Sequence, residues 1–157
     1  MTHSQPVLRV KRLHESAVVP QRAHETDAGL DLSSSIDVRL GPGARATVPT
    51  GVAIEIPQGW CGLVCPRSGL AARHGVGVVN APGVIDSGYR GEIKVVLINH
   101  DPEHSVELAA GDRIAQLVVT PVMLGALEEV TVLSDAERND AGFGSTGGAN
   151  LLTEAVE

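Results

Sequence analysis

Apolar and polar residues alternate along several short runs of the chain, the pattern of β-strands with one buried and one wet face. Turn formers such as Gly41-Pro42-Gly43 and Pro57-Gln58-Gly59 close these runs. The predicted strands are Val7 to Leu13, Ile36 to Leu40, Ala46 to Val48, Val52 to Ile56, Trp60 to Cys65, Val76 to Val79, Ile93 to Ile98, Val106 to Leu108, Arg113 to Val119 and Leu127 to Leu133. Many short strands with little helix predict an all-β fold, a sandwich or a barrel.

One run departs from the alternating pattern. Arg67 to Gly75 predicts a short helix, with Ser68 near its start and Gly75 just past its end. The composition changes beyond Ser134, where Gly, Ser and Asn become frequent. Such a composition is typical of a flexible segment. The sequence therefore predicts a β domain over residues 1–134 and a flexible C-terminal arm over residues 135–157.

Size and charge restrict the function. A chain of 157 residues with 43% hydrophobic residues can form one domain with its own core. Its net charge of −7 argues against binding nucleic acid through a general positive field. We therefore expect no nucleic-acid partner, and any bound phosphate would have to be met by a few placed arginines, backbone amides or a metal.

The lack of a recognisable targeting signal and the spacing of the cysteines favour a cytoplasmic protein. No apolar run approaches the roughly 20 residues of a membrane-spanning helix, so no membrane association is expected. The first residues show no secretory signal. Cys61 and Cys65 fall in one predicted strand. Their α-carbons are roughly 13 Å apart at strand rise, which is too far for a disulfide. Two free thiols fit a reducing compartment.

The run from Asn80 to Glu92 is the most unusual part of the sequence. It predicts a hairpin between two apolar strands, with Asp86 near its tip. It also carries Tyr89, the only tyrosine of the chain. An aromatic ring in a turn can form a plate for a planar or ring-shaped ligand. The alternative is structural, because Asp before Ser-Gly is a common turn former.

Two further segments carry candidate site residues. Pro66-Arg67-Ser68-Gly69 places an arginine, a hydroxyl and backbone amides at a helix start, which is either an anion site or an ordinary N-cap serine. In Gly111 to Gln116, alternation turns Gln116 towards a cleft and puts Ile114 and Leu117 on opposite sides. The alternative is a polar side chain whose hydrogen bonds are satisfied within the structure.

The C-terminal arm resembles a phosphate cradle. Its glycines allow close backbone approach to an oxyanion, and its hydroxyls, arginine and phenylalanine can bind phosphate and stack on a base. The alternative is a disordered linker. The residues concerned are Arg138, Phe143, Gly144, Ser145 and Thr146.

Taken together, these stretches resemble the deoxyuridine triphosphate nucleotidohydrolases (dUTPases). Five motifs occur in the order of that family and span nearly the whole chain. They are Asp27 to Leu32, Pro66 to Gly69, Asn80 to Glu92, Gly111 to Gln116 and Arg138 to Gly147.

The resemblance implies a jelly-roll-like β subunit and a homotrimer whose three active sites are each assembled from all three chains. It implies the hydrolysis of dUTP to dUMP and pyrophosphate, which keeps uracil out of DNA and supplies dUMP for thymidylate synthesis. By resemblance, Asp86 is the general base that activates water for in-line attack on the α-phosphorus. Asp31 holds a Mg²⁺ ion through water, and the ion spans the phosphates.

The resemblance also assigns the substrate contacts. The hairpin binds uracil through main-chain groups with help from Asn80, and Tyr89 excludes a ribose 2′-hydroxyl. Phe143 stacks on uracil when the arm closes. The implied substrate-binding residues are Arg67, Ser68, Gly69, Asn80, Gly83, Val84, Ile85, Tyr89, Lys94, Gln116, Arg138, Phe143, Gly144, Ser145 and Thr146.

Three positions depart from the family pattern without removing a chemical group. Asn139 and Ala141 stand where glycine is common, and Gly88 stands where a larger polar residue is common.

Two alternative functions remain open. A dCTP deaminase shares the fold and trimer but needs a carboxylate against the base's amino group. A catalytically silent trimer that senses nucleotide and binds a partner protein would have no need for a base such as Asp86.

Overall fold

The computed structural model describes residues 6–136, and this part of the chain contains eleven strands and one helix. The elements are β1 (Arg9–Arg12), β2 (Gly29–Ser33), β3 (Val38–Leu40), β4 (Arg45–Pro49), β5 (Val52–Glu55), β6 (Trp60–Cys65), α1 (Ser68–His74), β7 (Val76–Val78), β8 (Gly83–Ile85), β9 (Lys94–Asn99), β10 (Val106–Leu108) and β11 (Arg113–Pro121). The all-β prediction is confirmed.

The strands pair antiparallel in separate sheets that share one core. A four-stranded sheet has the order β2-β11-β6-β8, and a three-stranded sheet has the order β4-β9-β7. Two further pairs are β1-β5 and β3-β10. Side chains from both larger sheets join one buried cluster, including Leu117 and Val64 from the first and Val48 and Leu97 from the second. Burial of these side chains in one cluster holds the sheets together.

Several predicted boundaries agree closely with the structure. β6 and β10 have the predicted ends, and α1 lies within the predicted helical run. Gly75 ends the helix in the left-handed conformation at φ 63°, and its N–H donates to the last turn. The alternative interpretation of Ser68 as N-cap is wrong, because Arg67 holds the cap position and makes no side-chain cap bond.

Two strands were not recognised in the sequence. β2 lies in a stretch whose small residues and carboxylates obscure the alternation. β8 lies inside the predicted hairpin: β7 and β9 do pair, but β8 leaves them and pairs with β6 in the other sheet. The hairpin is therefore longer and more strand-like than a simple turn.

The predicted last strand, Leu127 to Leu133, is wrong. Residues 122–136 form neither helix nor strand. An alternating pattern becomes a strand only where a neighbouring strand pairs with its backbone. The chain divides into two units, Met1–Leu124 and Gly125–Glu157. The predicted arm lies almost wholly outside the described residues and stays a prediction.

Across residues 6–136, no helix has both the length and the apolar character needed to cross a bilayer.

Candidate active site

A row of polar side chains crosses the four-stranded sheet. Asp31 of β2 stands opposite Gln116 of β11, which stands opposite Cys65 of β6. Directly opposed residues of antiparallel strands point to the same face. All three are partly exposed, whereas the next residues of the same strands are buried: Leu30, Leu117 and Val64. One face of the sheet thus carries polar groups while the other forms the core.

A β-bulge in β11 brings Arg113 to the same polar face. Arg113 pairs with Ser33 and Ala115 with Leu32, so Ile114 is the extra residue of β11. Such a bulge reverses the direction of the side chains beyond it. Ile114 and Leu117 are both buried, contrary to the prediction that they lie on opposite sides. Strict alternation did not predict that Arg113 lies on the polar face. Its position directly after the Gly111-Asp112 turn was a signal that could have identified it as a site residue.

Both oxygens of the Asp31 carboxylate are held by arginines. Arg67 Nε lies 3.1 Å from Oδ1 and Arg113 Nη1 lies 3.0 Å from Oδ2. Arg67 Nη1 also donates to the carbonyl oxygen of Arg113 at 3.1 Å. The side chains of Asp31 and Arg67 are 18% and 27% exposed, so this network is only partly screened by water. Two arginines from distant parts of the chain are thereby fixed around one carboxylate.

These residues line one cleft of about 390 Å³. Gln116 is fixed in it by a hydrogen bond from Nε2 to the carbonyl oxygen of Pro66 at 3.0 Å. Its Oε1 lies directly over Gly29, where an added Cβ would collide with it. The lining residues are Ala23, Asp27, Ala28, Gly29, Asp31, Arg67, Ser68, Gly69, Arg113 and Gln116. The cleft therefore brings together five residues predicted for the site (Asp31, Arg67, Ser68, Gly69 and Gln116).

The hairpin is fixed mainly by its backbone. Gly83, Val84 and Ile85 pair with β6, and the N–H of Tyr89 donates to the carbonyl oxygen of Asp86 at 3.0 Å. The side chain of Asp86 is exposed. Asn80 is also exposed, with its amide nitrogen packed over Gly83, 3.1 Å from where a Cβ would stand.

Glu92 anchors the far end of the hairpin, a residue that the sequence did not single out. Its Oε1 accepts the N–H of Gly51 at 2.9 Å, and its Oε2 lies 3.6 Å from Lys94 Nζ. Its carbonyl oxygen accepts the hydroxyl of Tyr89 at 2.9 Å. Lys94 is predicted to bind substrate, and within the single chain it forms an ion pair with Glu92.

The cleft and the hairpin form separate groups in one chain. None of the cleft-lining residues comes from residues 80–94, which carry Asp86, Tyr89 and Lys94. The predicted residues of the arm, Arg138, Phe143, Gly144, Ser145 and Thr146, lie outside the described residues.

Known proteins resemble this chain in both sequence and structure. The dUTPase family model matches residues 15–147. The deoxyuridine 5′-triphosphate nucleotidohydrolase of Rhodococcus erythropolis is 54% identical over 145 residues, covering 92% of this chain and 88% of the relative. The protein of the same name from Mycolicibacterium gilvum is 56% identical over 146 residues, covering 90% and 95%.

Solved structures give the same result. The Staphylococcus bacteriophage 80alpha dUTPase with dUPNHPP has a TM-score of 0.85 and 33% identity, covering 92% of this chain and 100% of that one. A mutant dUTPase from phage phi11 of S. aureus, which coordinates a structural Mg(II) ion, has a TM-score of 0.76 and 30% identity, covering 81% and 98%. The family model, the bacterial relatives and the shared architecture agree that this chain belongs to the dUTPase family.

Proposed function

We propose that the chain hydrolyses dUTP to dUMP and pyrophosphate, with water oriented by Asp86 attacking the α-phosphorus. The observation that carries the proposal is the cleft, in which Arg67 and Gln116 meet although they lie far apart in the sequence. Guanidinium, amide and hydroxyl groups in a polar cleft are suited to phosphate oxygens. The names of the bacterial relatives support dUTP as the substrate.

The charge of the cleft supports a requirement for a cation. Its lining contains two carboxylates, Asp27 and Asp31, and two guanidinium groups, Arg67 and Arg113. These formal charges cancel, so the lining alone does not neutralise a bound triphosphate. Further positive charge must come with the substrate or from elsewhere in the protein. Mg²⁺ and Arg138 of the arm are the proposed sources.

The residues present fit a Mg²⁺ ion held mostly by other ligands. Residues 6–136 contain no cluster of three or more His, Cys, Asp or Glu that could enclose a metal. Both oxygens of Asp31 are engaged by arginines, at 3.0 and 3.1 Å. Mg²⁺ commonly keeps several waters and binds substrate phosphates with only one or two carboxylates. Asp31 would hold it through water, and the ion would neutralise phosphate charge.

The hairpin supplies groups for the base and sugar. β8 is the edge strand of its sheet, so one side of its backbone is unpaired within the described residues. Edge N–H and C=O groups can pair with another molecule as a further strand would. We assign uracil recognition to these groups of Gly83, Val84 and Ile85, assisted by Asn80. Tyr89 would then lie against the deoxyribose, and Lys94 would lie beside the nucleotide.

The water-activating step belongs to Asp86. Its carboxylate is exposed and makes no hydrogen bond to another described residue. It is therefore available to accept a proton from water while a hydrogen bond orients that water for in-line attack. Arg67, Ser68, Gly69 and Gln116 would hold the phosphates in line. The arm, with Phe143 over uracil and Gly144, Ser145 and Thr146 near the phosphates, would exclude bulk water.

A homotrimer with shared sites would account for the separation of hairpin and cleft. In one chain, the groups assigned to base, sugar and water do not line the cleft assigned to phosphate. Contact between different copies would bring the two groups together. A cytoplasmic location fits a nucleotide substrate and the free thiols of Cys61 and Cys65.

One assay separates this proposal from its two alternatives. The protein is mixed with dUTP or dCTP and Mg²⁺, and pyrophosphate and ammonia are followed. Pyrophosphate from dUTP supports the proposal. Ammonia from dCTP would identify a deaminase, and neither product would leave a nucleotide sensor.

Hybrid assemblies test the sharing of sites. An Asp86→Asn chain and a Gln116→Ala chain, each with low activity alone, are co-expressed with different tags and purified as mixed assemblies. Shared sites predict regained activity, because some sites then combine an intact hairpin with an intact cleft. Mixed assemblies as inactive as their parents would show that each site lies within one chain.

The arm is tested by truncation. Removal of residues 135–157 should greatly reduce turnover while sedimentation shows the same assembly as the full chain. Loss of the assembly would show that these residues are structural.

A further inference from the structure

Tyr89 owes its position to a neighbour that has no side chain. A Cβ added to Gly91 would stand 2.5 Å from the Tyr89 hydroxyl oxygen, 2.6 Å from Cζ and 3.0 Å from Cε2. Real Cβ atoms essentially never lie within 3.0 Å of another heavy atom, as the first two of these distances would require. The tyrosine ring therefore lies on the bare backbone of Gly91, two residues further along the chain.

A hydrogen bond fixes the ring in the same place. The Tyr89 hydroxyl donates to the carbonyl oxygen of Glu92 at 2.9 Å, and the Glu92 side chain is held by the N–H of Gly51. The end of the ring is thus tied to a residue that is itself anchored to another turn. The ring remains 43% exposed, so this contact and this bond fix it more than burial in the core does.

Backbone conformation does not explain the glycine at position 91. The positive-φ glycines of the described chain are Gly43, Gly51, Gly59, Gly75 and Gly111. Gly91 is not among them, so its φ lies outside the positive region that favours glycine. The requirement for glycine at this position comes from the tyrosine ring.

We infer that Gly91 is a positioning residue that sets the discrimination between deoxyribose and ribose by seating Tyr89. This inference rests on the proposed function, in which the Tyr89 ring lies against the sugar. A steric wall rejects a larger substrate only if it cannot move away. A methyl group at position 91 displaces the ring and breaks its bond to Glu92, so the wall moves and a 2′-hydroxyl is accommodated.

The chain offers a matched control in the same loop. Gly88 lies three residues before Gly91, also has an ordinary φ, and an added Cβ there meets nothing within 4 Å. Gly91→Ala and Gly88→Ala are therefore the same chemical change in the same hairpin. They differ in whether the new methyl group meets Tyr89.

The first measurement is independent of activity. Because Tyr89 is the only tyrosine, the ¹⁹F signal after 3-fluorotyrosine labelling comes from this ring alone. Gly91→Ala should shift this resonance, and Gly88→Ala should leave it unchanged. An unchanged resonance in Gly91→Ala would show that the ring does not rest on Gly91, whatever the enzyme hydrolyses.

The second measurement is the ratio of kcat/KM for dUTP to that for UTP. Gly91→Ala should lower this ratio by about tenfold or more, chiefly by improving UTP hydrolysis relative to dUTP. Gly88→Ala should keep the wild-type ratio. An unchanged ratio in a Gly91→Ala enzyme that still hydrolyses dUTP would overturn the inference. Wild-type protein that fails to hydrolyse dUTP would instead overturn the proposed function.

A double variant covers the case in which Gly91→Ala folds poorly. In Tyr89→Ala/Gly91→Ala the ring is absent, so the new methyl group has room. The double variant should fold and discriminate like Tyr89→Ala alone. If it is as damaged as Gly91→Ala, the effect of position 91 does not act through the tyrosine and the inference fails.

Discussion

The cleft and the hairpin are organised in opposite ways. In the cleft, side chains hold one another: Asp31 accepts from two arginines, and Gln116 donates to a carbonyl oxygen. In the hairpin, backbone pairing and turns fix the chain, while Asp86 and Asn80 are exposed to solvent. Changing a cleft residue should therefore disturb its neighbours, whereas changing Asp86 should remove one chemical group and little else.

The largest expected effect is that of Asp86→Asn. If Asp86 is the base, kcat for dUTP should fall by about a hundred- to ten-thousand-fold. The exposed position predicts a change in the free energy of unfolding within about 0.5 kcal/mol. Pyrophosphate release, calorimetric binding of dUpNHpp and urea denaturation measure the three quantities. Near-full activity would show that another group activates water.

Asp31→Asn should affect both catalysis and stability. It leaves Arg67 and Arg113 facing each other without the carboxylate charge, so dUTP kcat/KM should fall by about tenfold or more, and the free energy of unfolding by about 1–2 kcal/mol. The control is Glu107→Gln, which weakens an exposed pair with Arg39 at 3.7 Å. Exposed pairs contribute about 0–1 kcal/mol. Equal losses of stability in the two variants would mean that the cleft network is no stronger than a surface pair.

Gly29→Ala tests whether close packing against Gly29 positions Gln116 in the cleft. The new methyl group collides with Gln116 Oε1, so the Gln116 amide must turn and weaken its bond to Pro66. Overpacking of this kind costs about 1–3 kcal/mol, and the KM for dUTP should rise several-fold. Gly41→Ala is the control, because an added Cβ there meets nothing within 4 Å. Unchanged KM in Gly29→Ala would show that the position of Gln116 is not critical.

The smallest effect is expected outside both regions, at Asp101. Hydrogen bonds from the N–H groups of Glu103 and His104 lower the pKa of Asp101 below its usual range. Because the folded-state pKa is lower than the unfolded one, these bonds stabilise the fold above the ordinary carboxyl pKa. This contribution is lost as the pH falls through the folded-state value.

Chemical denaturation from pH 5 to pH 3 measures this contribution, because the loss falls at and below the ordinary carboxyl pKa. The stability difference between wild type and Asp101→Asn should shrink as the pH falls, with dUTP hydrolysis at pH 7 unchanged. A constant difference across this range would show that the ionised form gains nothing from the two bonds.

Local sequence determined much of the architecture but not the long-range arrangement. Turn residues and alternation located β6 and β10, and Gly75 marked the end of α1, since these signals depend on neighbours in the chain. β8 was missed because it leaves one sheet for another, and Arg113 was missed because the bulge at Ile114 reverses the alternation.

The site was predictable to a similar degree. The five motifs named the cleft residues Asp31, Arg67 and Gln116, and the structure places them together. In the proposed trimer, the position of Asp86 relative to the cleft depends on contacts between copies, which no pattern within one chain specifies. The roles assigned to Asp86, Tyr89 and the arm stay predictions.

The row of Asp31, Gln116 and Cys65 couples the integrity of the fold to that of the chemistry. Strand pairing places Leu30, Leu117 and Val64 as the next residues along. A shift of β11 by a single residue would turn Gln116 into the hydrophobic interior and expose Leu117 to solvent. Molecules with this shifted register would thus be unstable as well as inactive. Because they unfold more readily, proteases would degrade them, and their inactivity would not have to be detected.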